Sequence, residues 1–491
     1  MKTTEKLEYL GPYQTVRKNL LKVERALSRV LLRPAALPPQ FQCDLHLWLL
    51  GHEFDLSLPN YWHRSPDTGN CWPMIYGPAM HVTGEQAVGD VKLIWELNRH
   101  QFLPELARTD PKLAILLLRD WVRQNPCEFG VNWNSALEVG LRLIAWLETF
   151  EVLPHLRNEF QSNLDQHARF VRHHLSSDWI PRGNHLIGEA AALSLYEGKP
   201  HCWLRQAAAE QFYPDGVHHE QSVAYHHFVT HLMQIGGLPQ PQALAYLAAI
   251  RQPDGTLPFV GDNDDGRASS GRLKLPSAPA GSIAFASAGH YVLRQGADYC
   301  FVRCGEYGLA PNYSHSHADQ LSPVLWLRGQ PVVIDAGTFT YNGDPEMRRY
   351  FRSAQAHNVL TINGADMAEQ TGTFSWRNPP RAVCEKSRDD EIAGSVGPWR
   401  RTIRCEPRRF VITDHAPSGK LCWRFHLHPD LKMSRCGEGA FHFGNFQLTS
   451  PGTLRVGQGW FSPAYGVRRP IDVCEISMDV ASPVTAEFIL Q

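Results

Sequence analysis

The sequence predicts a chain of two structural halves, stacked helices first and an antiparallel β-sandwich second. Three observations carry this expectation. Apolar residues from about 85 to 250 recur with helical spacing, those after about 282 fall in short alternating runs, and a stretch rich in Gly, Asp, Ser and Pro lies between. The length of 491 residues suffices for two or three domains with a sizeable core. The expected division is an N-terminal extension over 1–84, a helical domain over 85–265 and a β-domain over 282–491.

The N-terminal extension contains a basic, helix-like stretch from Tyr13 to Leu32 and an aromatic loop, LPNYWHRSPDTGNCWPMIYG. VKLIWELNRHQFLPELA, PKLAILLLRDWVRQ, LDQHARFVRHHLSS, NHLIGEAAALSLYE and HHEQSVAYHHFVTHLMQI then read as helices. The clearest is VNWNSALEVGLRLIAWLETF, with Leu137, Leu141 and Ile144 on one face and Glu138 and Arg142 spaced for an i,i+4 pair. Successive helices with short connections suggest α-hairpins in an array or a ring. GDNDDGRASSGRLKLPSAPAGS, residues 261–282, reads as a linker. After it, HYVLRQGADYCFVRCG and LSPVLWLRGQPVVIDAG are strand–turn–strand units, and HNVLTING, RRFVITD and KLCWRFHLH continue the pattern.

The formal net charge of -1 gives no overall attraction to nucleic acid or to an anionic membrane. An acidic ligand would need a local basic cleft, for which the histidines, Arg182, Arg348, Arg349 and Arg352 are candidates. No apolar run reaches the ~18 residues of a membrane-spanning helix. The N-terminus lacks the apolar core of a secretory signal, so a cytoplasmic location is expected, or a periplasmic or secreted one if a leader was removed. The 11 cysteines form no CxxC pair and read as mostly buried thiols, not a disulfide framework.

Several residue groups carry chemistry. In NYSHSHADQLS, an extended centre would turn His315 and His317 to one face beside Asp319, suited to metal binding or to acid–base work. Asp335 ends the apolar run of VVIDAGTFTYNGDP, either as a turn residue or as a ligand. His357 opens a strand in RRYFRSAQAHNVLTING. His317, Asp335 and His357 together offer two nitrogens and one oxygen to a zinc ion. In the helical half, Asn184 stands where a loop becomes a helix, either as an N-cap or as an amide donor. Tyr225 lies among His218, His219, His226 and His227, either as a core residue or as an acid–base group.

NWNSALEVGLRL, RGNHLIGEAAAL, DGVHHEQSVAYHHFV, the long run from HSHADQLS to HNVLTING and RRFVITD resemble, in the same order, the heparinase II/III family of polysaccharide lyases. The resemblance implies an N-terminal (α/α) toroid, an incomplete barrel, then an antiparallel β-sandwich, with the active site in the cleft between them. It implies that Asn184 neutralises a uronate carboxylate, that Tyr225 and His315 are the catalytic tyrosine and histidine, and that His317, Asp335 and His357 hold a metal, usually zinc. His185, Asn134 and Arg352 are candidate contacts to an acidic polysaccharide, the expected partner. Trp133, Tyr313 and Trp376 are candidates for stacking on sugars.

The implied reaction is β-elimination, which takes the C5 proton of a uronate and expels the C4 oxygen. It needs a donor for the developing dianion, a base and an acid. Neighbouring positive charge would lower the Tyr225 hydroxyl from its ordinary value near 10 and let it serve as base. Where the C5 proton and C4 oxygen share a face, Tyr225 can do both jobs; where they do not, His315 is the base and Tyr225 the acid. The competing readings are a glycoside hydrolase, with Glu138, Glu189, Glu220 and Asp262 as candidate carboxylates, and a non-catalytic protein of glycan binding or exopolysaccharide assembly.

Overall fold

A computed structural model describes residues 37–491 except 85, 180 and 436–438. The stretch from Tyr13 to Leu32 lies outside the described residues. The chain opens with a hairpin of His46–Leu49 and His52–Asp55. The aromatic loop that follows buries Tyr61, Trp62, Trp72 and Tyr76; the first three join the helical core.

Nine helices of four residues or more come next among the described residues, α1 Val91–Asn98, α2 Leu103–Thr109, α3 Pro111–Gln124, α4 Ala136–Val152, α5 Gln161–His173, α6 Asn184–Glu197, α7 Cys202–Glu210, α8 Val223–Ile235 and α9 Pro241–Ile250, and a tenth, α10 Pro345–Arg352, lies among the strands of the second half. α3 begins with Asp110 accepting from the Leu113 amide and with Pro111 in the first turn, where its missing N–H costs nothing. The stretch read as one helix from Val91 divides into α1 and α2, because His100 takes a left-handed φ of 60° and its ring accepts from Trp146 at 2.8 Å. α4 packs on α2, α5 and α6, and α6 packs also on α7 and α8. α4 and α6 approach closely through glycines: a Cβ on Gly188 would lie 2.2 Å from Leu137 Cδ1. The expected Glu138–Arg142 pair does not form. α4 is buried nearly all round, so Glu138 instead takes Arg99 of the loop after α1 at 2.7 Å, and Arg142 donates to His167 and to backbone carbonyls.

The β-half is antiparallel throughout its named sheets. A five-stranded meander runs Ile283–Phe285, His290–Gln295, Asp298–Arg303, Pro323–Leu327 and Gln330–Val333. An eight-stranded sheet is built from residues 382–416, 433–449 and 484–490, and a four-stranded sheet from residues 360–362, 419–426 and 453–480. Leu325, Ile412 and Trp423, one from each sheet, share a single core. The meander's other face packs Tyr299, Phe301 and Val324 on Tyr246, Leu247 and Ile250 of α9, which joins the halves. An ion pair of Arg401 and Asp414, fully buried, is completed by the Trp423 indole at 2.7 Å. The cysteines described are free thiols, four of them buried and two exposed. No described helix is long and apolar enough to cross a membrane.

The halves are also latched at Asp90. Its carboxylate caps α1 through the Lys92 amide, and accepts from Thr340, Asn342 and the Tyr465 hydroxyl, the last at 2.6 Å.

Candidate active site

The site forms where the first turns of α6 and α8 meet the loop 312–320 and the segment 260–265. That segment is no linker at its start. Val260 accepts from the Val223 amide, Asp262 accepts through its carbonyl from Ser222 Oγ at 2.6 Å, and the Asp262 amide donates to the His315 carbonyl at 2.9 Å. Ser222 also caps α8 by accepting from the Tyr225 amide, so one serine fixes both the helix start and the acidic segment. Gly261 is required here: it has a φ of 70°, and a Cβ would come within 2.8 Å of the His315 carbonyl.

Asp262, fully buried, is the hub. It faces His315 Nδ1 at 3.0 Å, His317 Nε2 at 2.9 Å and both terminal nitrogens of Arg348, with Nη2 at 2.8 Å. Burial alone would raise its pKa; Arg348 and the two imidazoles outweigh that and hold it well below the ordinary range. His315 and His317 thus converge as expected, but from an irregular loop and not from a strand. With Nδ1 turned to a carboxylate, His315 keeps its proton there and leaves Nε2 as the basic nitrogen. Asp319, which the sequence placed with the two histidines, pairs instead with Arg303 at 3.0 Å.

The Tyr225 ring stacks on His315, centroids 3.7 Å apart and planes 21° from parallel. Its hydroxyl lies 3.3 Å from Asp264 Oδ2 and 3.2 Å from the Tyr341 hydroxyl. The expected lowering of its pKa is reversed. Burial, then the carboxylates of Asp264 and Asp262, push the Tyr225 hydroxyl well above its ordinary value, because Arg348 and Lys92 are already neutralised by those same carboxylates. Tyr225 therefore rests protonated.

Asn184 is the first residue of α6, not its N-cap, which is Gly183. Its amide nitrogen reaches both Glu220 oxygens at 3.0 and 3.1 Å. A carboxylate only accepts, so this contact fixes the amide's orientation, with Nδ2 turned to Glu220. His185 is half-buried against Trp179, and burial lowers its pKa to about 4, so it offers a neutral imidazole.

Other candidates fall elsewhere. Arg352 is fully buried, donates to the carbonyls of Gly372 and Thr373 and lies over Trp376, so it braces a loop and is no substrate contact. Asn134 is half-buried, with its amide nitrogen given to the Gly77 and Met80 carbonyls. Trp133 and Trp376 are buried packing residues; Tyr313 is half-buried against Tyr307. Arg182 ties to Ser177 and Glu210, and Arg349 is exposed.

Beneath the loop, one donor atom from each of His317, Asp335 and His357 comes within 4.8 Å of the others. His317 Nδ1 is buried without a partner, and His357 Nε2 faces the Phe351 carbonyl at 3.1 Å. Each imidazole thus has one nitrogen held by an outer oxygen and the other turned inward, a donor set that fits zinc.

Sequence reasoning missed Asp264, Lys92 and Tyr341 and named Asp262 only as a hydrolase carboxylate. The four acids and amides in GDNDD, directly after an apolar strand-like run, were the available signal.

Residues 62–245 match the family model described as heparinase II/III N-terminus, and residues 277–485 that described as heparinase II/III-like, C-terminal. A heparin-sulfate lyase of Pedobacter heparinus is 26% identical over 356 residues, covering 57% of this chain and 53% of that protein. One of Bacteroides stercoris is 22% identical over 387 residues, covering 59% and 57%. The chain thus spans little more than half the length of these curated relatives. A crystal structure of heparinase III matches with a TM-score of 0.61 at 16% identity, over 80% of this chain and 76% of that one. The heparan sulfate lyase structure from Pedobacter heparinus matches with a TM-score of 0.51 at 18% identity, over 82% and 77%. These likenesses establish the fold, an α/α toroid followed by an antiparallel sandwich. On the two family matches, which between them span most of the sequence, the chain belongs to the heparinase II/III-like family.

Proposed function

We propose that this chain is a polysaccharide lyase that cleaves an acidic, uronate-containing polysaccharide by β-elimination across one face of the sugar. The observation that carries this reading is the stacking of Tyr225 on His315 at 3.7 Å. No sugar ring fits between the two, so both groups work from the same side, and the division into His315 as base and Tyr225 as acid, expected from the sequence for opposite faces, is here assigned to a shared face. The names of the relatives, heparin-sulfate lyases, support an acidic glycosaminoglycan-like substrate.

In this reading, His315 Nε2 takes the C5 proton while Asp262 holds the ring by Nδ1. The C5–H electrons form the C4–C5 double bond, the C4–O4 bond breaks, and the Tyr225 hydroxyl gives its proton to the departing oxygen. The proton on His315 then returns to Tyr225, so the pair ends as it began. The Asn184 amide, turning an N–H from Glu220 to the substrate, donates with His185 beside it to the uronate carboxylate as charge builds there. The separation and sharing of roles leave Glu220 orienting Asn184, not acting as a hydrolytic acid. His317, Asp335 and His357 would hold a zinc ion whose contribution is to fix the loop 312–320 against the sandwich.

The stereochemistry selects the substrate. Glucuronate and mannuronate carry H5 and O4 on one face, whereas iduronate, guluronate and galacturonate carry them on opposite faces. Incubation with polymers of each kind should raise the ultraviolet absorbance of a 4,5-unsaturated uronate with the first group alone. Tyr225→Phe should lose about a hundredfold or more of that rate. Cleavage of the second group only would sink the same-face geometry, and reducing ends without ultraviolet absorbance would replace elimination by hydrolysis.

A further inference from the structure

A buried string of charges runs under the site. Asp264 Oδ2 stands 3.1 Å from Lys92 Nζ and 3.3 Å from the Tyr225 hydroxyl. Lys92 also meets Glu96 at 3.1 Å, Glu96 meets Arg99 at 2.8 Å, and Arg99 meets Glu138 through a double hydrogen bond at 2.7 and 2.8 Å. Each of these side chains except Asp264, which reaches the cleft, is about 5% exposed or less. A charge so placed is costly unless paired, and each is paired. The string supplies no nucleophile and touches the reacting groups at one point, Tyr225.

We propose that Asp264, salt-bridged to Lys92, is a positioning residue that keeps the proton on Tyr225 and aims its hydroxyl, committing Tyr225 to the role of acid. This rests on the elimination reading above and assigns within it. Asp264 accepts from the Tyr225 hydroxyl until substrate supplies the O4 oxygen. Once Tyr225 has protonated O4, its phenolate stands beside the Asp264 carboxylate, with Asp262 and Glu220 near and the Tyr341 hydroxyl the one hydrogen-bond donor in contact among the described residues. Two anions at that distance repel, so the proton that His315 took from C5 is drawn back to Tyr225. Asp264 thereby drives the reset, and the proton lost by C5 is the one restored to the acid. Lys92 makes this lasting. Burial would push the Asp264 carboxyl up, but Lys92 and then Arg99 hold it below its ordinary value, so it is an anion throughout the working range.

The test uses the full chain and two readouts. The first is independent of turnover: the alkaline onset of phenolate absorbance of Tyr225, taken as the difference between each protein and its Tyr225→Phe counterpart. Asp264→Asn should bring that onset to lower pH. The second is steady-state kinetics, in which Asp264→Asn should lower kcat by about tenfold to a hundredfold with KM within about threefold. A loss of kcat with no movement of the onset means a merely structural role and overturns the proposal. Unchanged kcat overturns it as well. Should wild type show no elimination, the onset alone decides the Asp264 contact while the functional reading fails separately. Should Asp264→Asn not fold, Lys92→Met replaces it. Without its cation burial pushes the Asp264 carboxyl up, so the pH at which kcat rises should move upward from that of wild type; a wild-type profile overturns the proposal.

Discussion

His317 shows how much one side chain settles at the residue scale. Its Nε2 shares Asp262 with His315, and its bare Nδ1 faces Asp335 and His357. An imidazole with one nitrogen pinned and the other empty and buried is a waiting ligand. Added zinc should therefore raise the melting temperature, by a stabilisation of about 2.7 kcal/mol when free zinc is a hundredfold above its Kd. His357→Ala should abolish that rise in a thermal shift assay, and chelation should lower stability more than the chemical rate. The candidates that sequence motifs offered were those that sit in continuous runs, Asn184, Tyr225, His315 and the trio His317, Asp335 and His357. Those that it did not place, Asp264 and Lys92, acquire meaning only because segments 172 positions apart meet at 3.1 Å. Arg352 was misplaced for a related reason: alternate arginines of one short helix, Arg348 and Arg352, differ in role solely by whether a carboxylate lies opposite.

At the scale of an element, α6 was legible at both ends, since RGN opens it and Gly198, with a left-handed φ of 70°, closes it. Its interior was less so. Glu189 is buried and accepts from both the amide and hydroxyl of Ser176, at 2.6 and 2.7 Å, anchoring the turn that leads to Trp179 and the site. Burial outweighs those two bonds and raises its pKa to about 8. The folded state therefore holds a proton there that the unfolded chain releases near the ordinary value of 4.5. The stabilisation is complete below about that value and is lost as pH rises towards about 8. Glu189→Gln keeps an acceptor for the Ser176 amide and cannot ionise. It should flatten the fall in melting temperature between these limits, as differential scanning calorimetry at stepped pH would register; an unaltered slope would remove Glu189 as its cause. The same physics explains why α1 and α2 were read as one helix: apolar spacing persists through His100, and only its bond to Trp146 from another helix shows the break.

For the whole molecule, the switch from helical to alternating spacing marked where helices give way to strands, but not how the halves are joined. Asp90 does much of that joining, capping α1 while taking bonds from Thr340, Asn342 and Tyr465. Asp90→Ala removes a helix cap and strands several donors, and should cost roughly 3 kcal/mol, read by chemical denaturation. If the latch matters to the cleft, the variant should also lose activity before it loses helical structure; simultaneous loss would assign it to stability alone. No local pattern announced this contact, because its partners lie 250 to 375 residues away.

That last separation also sets a schedule. A ribosome delivers Asp90 375 residues before Tyr465. The helices can condense in the meantime, but the floor under Tyr225 awaits residue 264 and the brace on α1 awaits residue 465. A chain still being made therefore carries Tyr225 in an unfinished socket until residues 264 and 341 have followed it, and α1 unbraced until residue 465 has.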